Sequence, residues 1–166
     1  MITVQRLKER VTYDPVSGVF VWNDTFSGTC RKGWPAGREG TGKAAGYWRI
    51  TIDAREYKAH RLAWLYMTGD WPEKQIDHIN GDPSDNRWSN LRLATQSQNK
   101  ANGRKYKSNK SGFKGISWNC SFKKWNAAIQ VDGKQKHLGR YKNIADALNA
   151  YKEASERYFG EFSRTK

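Results

Sequence analysis

Cysteine is scarce in this sequence of 166 residues, which holds only Cys30 and Cys120 and no CxxC pair. Two distant thiols cannot build a cysteine zinc cluster or a disulfide framework. Free cysteines are the usual state in a reducing compartment, so the composition indicates a protein of the cytoplasm.

Long apolar runs are also absent. No segment approaches the ~20 apolar residues needed to cross a bilayer, and the N-terminal MITVQRLKER lacks the apolar core of a signal peptide. We therefore expect no membrane partner. Hydrophobic residues make up 37 % of the chain and aromatic residues 13 %, more than a wholly disordered chain would carry, so at least part of it folds.

Acidic residues are few beside basic ones, with 16 Asp and Glu against 30 Lys and Arg and a net charge of +14. Residues 100–166 hold 16 basic and 5 acidic side chains, whereas residues 1–99 hold 14 and 11. Such a surface attracts nucleic acid by releasing condensed counterions. An anionic membrane fits less well, because the basic residues lie on strand-like segments and a linker, not opposite an apolar helical face.

The first hundred residues alternate between helical and strand patterns. Thr3 can cap a helix with Val4, Leu7 and Val11 on one side. Further along, we predict a strand at 18–23, a loop rich in glycine and basic residues at 27–46, a strand at 47–52, and a helix at 56–69 that ends near Gly69.

The last third of the chain follows a cationic tract, KANGRKYKSNKS (100–111), which is a flexible linker by composition. Beyond it, strands are predicted at 113–118, 125–131 and 134–141. A helix then begins after Asn143, with Asp146 in the capping-box position, and stops at Gly160. The predicted class is α+β, with domains at 1–102 and 112–166 joined by a linker at 103–111.

The segment KQIDHINGDPSDNRWSNLRLATQSQN holds the residues for chemistry. Asp77 is a hard oxygen ligand suited to Mg²⁺ or Mn²⁺, and His78 can take a proton from water near neutral pH. Asn99 offers a carboxamide oxygen, and a capping box of Thr95 and Gln98 places it in the first turn of a helix. Folding the preceding hairpin onto that helix would bring Asp77 and Asn99 together around one ion.

Asn90 has two open roles in this segment. Its amide can hold the backbone near His78, or it can accept the other ring N–H of His78 and so fix the tautomer. Phosphodiester hydrolysis needs a base for the water and a cation for the developing charge, and one metal ion suffices.

The same segment resembles the HNH endonucleases, the ββα-metal nucleases of phages and mobile introns. The resemblance extends upstream through YDPVSGVFVWN, GYWRITI and AHRLAWLYMTG. It implies that His78 is the general base, Asn90 the structural asparagine, and Asp77 and Asn99 the ligands of one Mg²⁺ or Mn²⁺ ion. Many members carry His at the last position, and a phage subgroup carries Asn there, as here. A phage protein of this kind would act in the cytoplasm of a bacterial host.

The C-terminal segment from SGFKGISW to RYFGEF resembles the plant ethylene-response-factor (APETALA-type) DNA-binding domain. That resemblance implies a three-stranded antiparallel sheet that is backed by one helix and enters the major groove. The contact positions it implies are Lys114, Ser117, Trp118, Gln130 and His137, with Lys134 and Lys136 nearby. Several of these are Ser, Gln or His where plant members have Arg or Trp, so the plant target sequence does not carry over. Trp118 fits a core position equally well.

Other side chains have competing interpretations. Arg87 and Arg92 can clamp the scissile phosphate or be solvated surface arginines. His60 opens a helix, where local hydrogen bonding is favoured over catalysis. The cationic tract can contact DNA or serve only as a linker; its candidate contacts are Lys105, Lys107 and Lys110.

The sequence therefore predicts a metal-dependent, site-specific endonuclease of the homing type that acts on double-stranded DNA. With one active site per chain, a monomer should nick one strand, and cutting both strands would need a dimer or two events. The alternative is a DNA-binding regulator in which the nuclease unit serves as a scaffold. The presence of Asp77, His78, Asn90 and Asn99 together argues against it, because a scaffold does not need this set. RNA is a third possible substrate.

Overall fold

The computed structural model describes residues 1–42, 45–103 and 109–164. The chain divides into two compact units, Met1–Leu93 and Ala94–Lys166. Both units mix helices and strands, which confirms the α+β class. Within the described residues, no helix combines the length and apolar character that a membrane span requires.

The first unit is built from short elements. In chain order they are α1 (Val4–Arg10), β1 (Val11–Tyr13), β2 (Phe20–Trp22), β3 (Arg38–Glu39), β4 (Trp48–Ile52), β5 (Arg55–Lys58), α2 (Ala59–Thr68), β6 (Gln75–His78) and β7 (Leu91–Ala94). Strands β1 and β2 pair, β3, β4 and β5 form an antiparallel sheet, and β6 pairs with β7. The Thr3 side chain accepts from the Arg6 backbone N–H, so the predicted cap of α1 is present.

The core of the first unit draws on all of these elements except β3. Its fully or nearly fully buried side chains include Leu7, Val11, Phe20, Ile50, Ile52, Leu62 and Leu65. Val11 was expected on the apolar side of the first helix, and it instead begins β1 with its side chain buried. This core fixes α2 and β6 in one body.

The helix predicted at 56–69 is shorter than expected, because its first residues form β5. Asp53 and Ala54 both have positive φ, 50° and 60°, and close a two-residue hairpin. That turn aligns Glu56 with Thr51 and Lys58 with Arg49 across the sheet. The helix therefore begins at Ala59, and it ends as predicted at Gly69, whose φ is 87°.

The second unit contains a three-stranded sheet and two main helices. Its elements are α3 (Gln96–Asn102), β8 (Ile116–Asn119), β9 (Lys124–Val131), β10 (Lys134–Tyr141) and α4 (Ile144–Phe159). The strands are antiparallel in the order β10–β9–β8, and α4 packs on one face through a core of Ile116, Ala127, Ile129, Ala147, Tyr151 and Phe159. The three predicted strands and the following helix are confirmed. The Asn143 side chain makes no cap bond to α4, so its predicted capping box does not form.

Helix α3 groups with the second unit, although the predicted boundary placed it in the first. Ala94 is buried in the second core, and Ala101 packs against that core. The Lys114 ammonium donates to the backbone carbonyl of Ala101 at 2.5 Å. Most of the predicted linker, residues 104–108, lies outside the described residues.

Candidate active site and nucleic-acid interface

Strand β6 ends in the two residues that carry the chemistry of the motif. Asp77 is 3 % exposed and His78 6 % exposed, so both side chains lie inside the first unit. Burying a carboxylate and an imidazole is costly unless neighbouring groups compensate for the lost water. The surroundings of each residue therefore indicate what state it is held in.

Asp77 is held by a buried ion pair. Its Oδ2 accepts from the Nε of Arg92 in the paired strand β7, at 2.9 Å, and the Arg92 side chain is only 13 % exposed. This charge-assisted hydrogen bond replaces part of the hydration that the carboxylate loses on burial. Arg92 was a candidate phosphate clamp, and the structure places it as the partner of the predicted metal ligand.

His78 lies in an environment that favours the neutral ring. Burial lowers the pKa of His78, and the amide of Asn86 together with the charges of Asp77, Asp85 and Asp82 opposes that shift. The net direction is downward from the usual histidine value, so the ring is uncharged at neutral pH. A neutral imidazole can accept a proton, which is the property that a general base needs.

The loop after His78 is tied together by Asn90. The Asn90 Oδ1 accepts from the Asn80 backbone N–H at 3.0 Å, while its Nδ2 donates to the Asn80 Oδ1 at 3.1 Å and to the Asp85 carbonyl at 2.8 Å. The Asn90 carbonyl also accepts from the Ile79 N–H at 2.9 Å. Of its two open roles, the structure shows the first, in which the amide holds the backbone next to His78.

The turn within YDPVSG (13–18) supports the far side of this loop. The Tyr13 hydroxyl donates to the Asn86 carbonyl at 2.6 Å, and the Trp88 N–H donates to the Pro15 carbonyl at 3.0 Å. At Gly18, with φ +75°, an added Cβ would lie 2.4 Å from the Arg87 nitrogen. Only glycine allows the turn to approach so closely, and this contact keeps Asn86 beside His78.

Arg87, the second candidate clamp, is paired within the same loop. Its Nε donates to Asp85 Oδ1 at 2.9 Å and its Nη2 to Asp85 Oδ2 at 2.6 Å. About half of the Arg87 side chain is exposed. A phosphate could displace Asp85 from the half-exposed Arg87 guanidinium more readily than it could displace Asp77 from the buried Arg92 guanidinium.

Asn99 lies in the first turn of α3, as predicted. Both halves of the capping box are present: the Thr95 hydroxyl accepts from the Gln98 N–H at 3.2 Å, and the Gln98 side chain accepts from the Thr95 N–H at 2.8 Å. Helix α3 belongs to the second unit, whereas Asp77 belongs to the first. A metal ion shared by Asp77 and Asn99 is therefore part of the proposal below.

The donor set fits a hard divalent ion. Carboxylate and carboxamide oxygens are the ligands that Mg²⁺ and Mn²⁺ prefer, with water and substrate phosphate completing the shell. Over residues 1–42, 45–103 and 109–164, no three His, Cys, Asp or Glu side chains come together as a metal site. Within these ranges the structure therefore shows no zinc-type cluster.

Sequence reasoning missed two neighbours of His78. Nothing in the sequence pattern singles out Asn86, and for His60 the sequence favours local hydrogen bonding at the start of a helix. The ring of His60 lies edge-on to His78, with centroids 5.0 Å apart and planes at 88°. The two histidines are 18 positions apart along the chain, so no local pattern predicts this contact.

The sheet of the second unit has one exposed, polar face, opposite α4, which we call the open face. Cross-strand pairing puts Ser117 opposite Asn126, Asn126 opposite Arg140, Gln130 opposite Gln135 and Ala128 opposite His137. His137 Nε2 and Asn126 Oδ1 are 2.6 Å apart, which confirms that these two side chains share the face. The predicted contacts Ser117, Gln130 and His137 therefore lie together.

Four other predicted contacts do not share the open face. Trp118 and Lys134 pair with Trp125 and Val131, whose side chains pack against the core beneath the sheet. Lys136 donates to the Tyr158 hydroxyl on α4 at 3.2 Å. The Lys114 ammonium donates to the carbonyls of Ala101 and Arg164, and burial lowers its pKa to about 8.

The predicted contacts of the cationic tract are described only in part. Lys110 is exposed in a turn that precedes β8. Lys105 and Lys107 lie outside the described residues.

Comparison with known proteins bears on the first site. Residues 57–101 match the family model described as HNH endonuclease. The chain is 34 % identical over 112 residues to Protein 3.8 of Escherichia phage T7, an alignment that covers 65 % of this chain and 92 % of that protein. It is 29 % identical over 146 residues to the uncharacterized HNH endonuclease L560 of Acanthamoeba polyphaga mimivirus, covering 87 % of this chain and 72 % of the other. No solved structure matches.

Proposed function

The chain belongs to the HNH endonuclease family, and from this premise we propose that it is a divalent-metal-dependent, site-specific DNA endonuclease of the homing type. The observation that carries the proposal is the buried, neutral His78 next to the buried carboxylate of Asp77, inside the residues that match the family. A proton acceptor beside a hard anionic ligand is the minimum that phosphodiester hydrolysis requires.

Each residue of the site has a separate task in this proposal. His78 takes the proton of the attacking water, and Asn90 and Asn86 hold the loop and ring in place. Asp77 and Asn99 would hold one Mg²⁺ or Mn²⁺ ion, which supplies positive charge for the phosphoryl oxygens and the leaving oxygen. Arg87 can exchange Asp85 for a DNA phosphate. The products would carry 5′-phosphate and 3′-hydroxyl ends.

The second unit grips the DNA in this proposal. The open face of its sheet offers donors and acceptors of the kind that read base edges in the major groove, as in an APETALA-type domain. Ser117, Gln130 and His137 are joined there by Asn126 and Arg140. Lys105, Lys107 and Lys110 would add phosphate contacts. A single chain would nick one strand in the cytoplasm of a bacterial host.

The test is cleavage of supercoiled plasmids carrying DNA fragments selected for binding to the wild-type protein. With Mg²⁺ or Mn²⁺, the wild type should convert them to nicked circles, and His78→Ala should cut at least about 100-fold more slowly, since a general base contributes about 10²–10⁴-fold. Equal cleavage by both proteins would refute the assignment. Selective binding without cleavage under any divalent metal would instead indicate the regulator.

A further inference from the structure

We propose that His60 is a positioning residue of the active site, whose ring packs edge-on against His78 and sets the orientation of that imidazole. The inference rests on the proposed function, because His78 is taken to be the general base. His60 would act only through His78 and would touch neither the DNA nor the ion.

Three rings from three separate elements meet at this point. His60 is the second residue of α2, His78 ends β6, and Tyr47 precedes β4. The His60 and His78 centroids are 5.0 Å apart at 88°, the edge-to-face geometry that aromatic pairs favour. Tyr47 lies 5.5 Å from His60 and 6.1 Å from His78. Two rings therefore restrict the rotation of the His78 ring.

The position of His60 itself is rigid. Its side chain is 5 % exposed, and its helical neighbours Ala59, Leu62 and Ala63 are fully buried in the first core. A ring fixed by a packed helix can fix a second ring, whereas a surface ring could not. Because an error of about 1 Å in a catalytic group can cost roughly 100-fold in rate, such restriction has a measurable value.

Proton transfer by His60 is disfavoured. Burial lowers its pKa to about 3, and the positive charges of Lys58 and Arg61, with any charge on His78, act in the same direction. At neutral pH the ring is therefore uncharged and does not compete with His78 for the proton. Positioning remains as the role consistent with these contacts.

The polar ring carries an energetic cost at this site. Its buried Nδ1 has no hydrogen-bond partner among the residues that the structure describes. Such an atom costs about 1–3 kcal/mol, which an apolar side chain would avoid. Core packing alone would therefore favour an aliphatic residue here, whereas the edge-on contact with His78 needs an aromatic ring and does not depend on the ring nitrogens.

A matched pair of variants tests the proposal. His60→Phe keeps a ring at the contact, whereas His60→Leu keeps apolar volume without a ring. We expect His60→Leu to lower kcat by about 10–100-fold with KM changed less than about twofold, and His60→Phe to restore kcat to within about threefold of the wild type. Leu62→Ala, on the same helix, controls for lost stability and should lower Tm without this selective loss of kcat.

Two readouts separate this proposal from the one on which it rests. The imidazole ¹⁵N signals of His78 should move in His60→Leu and stay near their wild-type positions in His60→Phe. A wild-type kcat in His60→Leu, or equal losses of kcat in both variants, would overturn the positioning role. The nuclease assignment would still be supported if His78→Ala had strongly reduced cleavage. Full cleavage by His78→Ala would overturn both.

Discussion

Polar side chains are buried at the His78 site, whereas on the open face of the sheet they are exposed. Around His78, the imidazole, the carboxylate of Asp77 and the guanidinium of Arg92 are buried and held by fixed neighbours. On the open face, Ser117, Gln130, His137 and Arg140 are exposed to solvent. Chemistry requires groups that are oriented before substrate arrives, whereas recognition requires groups that can reach a partner.

The two units also differ in net charge. Residues 1–93 carry 14 basic and 11 acidic side chains, and residues 94–166 carry 16 and 5. The acidic residues of the first unit include Asp77 and the loop residues Asp82 and Asp85, which lie near His78. We therefore expect the salt dependence of DNA binding to come mainly from the second unit.

The buried ion pair should show the largest effect. Asp77→Leu removes the carboxylate partner of the Arg92 guanidinium and should lower the free energy of unfolding by about 3–5 kcal/mol, as should Arg92→Met. The double variant replaces both charges with apolar groups and should recover most of that loss, yet remain inactive because the proposed metal ligand is gone. Urea unfolding and plasmid cleavage measure the two quantities. If the double variant lost as much free energy of unfolding as the two single variants together, the result would contradict the pairing.

Substitution of Asn90 should cause the next largest loss in the free energy of unfolding. Asn90→Ala removes three side-chain hydrogen bonds inside the loop and should cost about 2–4 kcal/mol. Asn90→Asp keeps the acceptor for Asn80 but loses both donors, so its cost should be intermediate. Asn126→Ala, on the open face, is the matched control and should change the unfolding free energy by less than about 0.5 kcal/mol. Similar losses at Asn90 and Asn126 would erase the contrast between the two regions.

The pH dependence of stability reports the burial of His60. Its pKa is about 3 in the folded chain against 6.5 in the unfolded chain, so the unfolded chain binds more protons between these values. The stability contributed by the neutral ring is complete above pH 6.5 and falls by up to ~1.4 kcal/mol per pH unit below it. His60→Phe should flatten the decline between pH 6.5 and 5. Parallel curves for the two proteins would show that His60 is not buried as described.

The smallest effect is expected in the salt dependence of DNA binding, which should distinguish the two faces of the sheet. Arg140→Ala, on the open face, should reduce the slope of log K against log salt by about 0.9 if one phosphate contact is lost. Lys136→Ala is the matched control, because the Lys136 ammonium is held by Tyr158 on the helix side. We expect a smaller change there, and the reverse order would mean that the other face meets the DNA.

Most of the fold could be predicted because its signals are local. The Thr95–Gln98 capping box, the Asp132–Gly133 turn and the stop at Gly69 each act within a few residues, and all three are observed. Strand β5 was missed because its strand conformation arises from pairing with β4, which overrides the helical pattern of the following residues.

The active site was only partly predictable for the same reason. Motif spacing located Asp77, His78 and Asn90, which lie in one continuous segment. The residues that set their state, Arg92 and His60, are brought to them by strand pairing and core packing. No spacing rule within the segment distinguishes Arg92 from Arg87, although the structure buries one and exposes the other.

The most direct test combines binding and single-turnover cleavage on the same DNA for two variants, His78→Ala and the open-face triple Asn126→Ala/His137→Ala/Arg140→Ala. The account predicts that His78→Ala binds as tightly as the wild type and cuts at least about 100-fold more slowly. It predicts that the triple variant binds weakly but cuts at close to the wild-type rate once DNA is saturating. A His78→Ala protein that cuts at the wild-type rate, or a triple variant that binds normally, would contradict the division of chemistry and recognition between the two units.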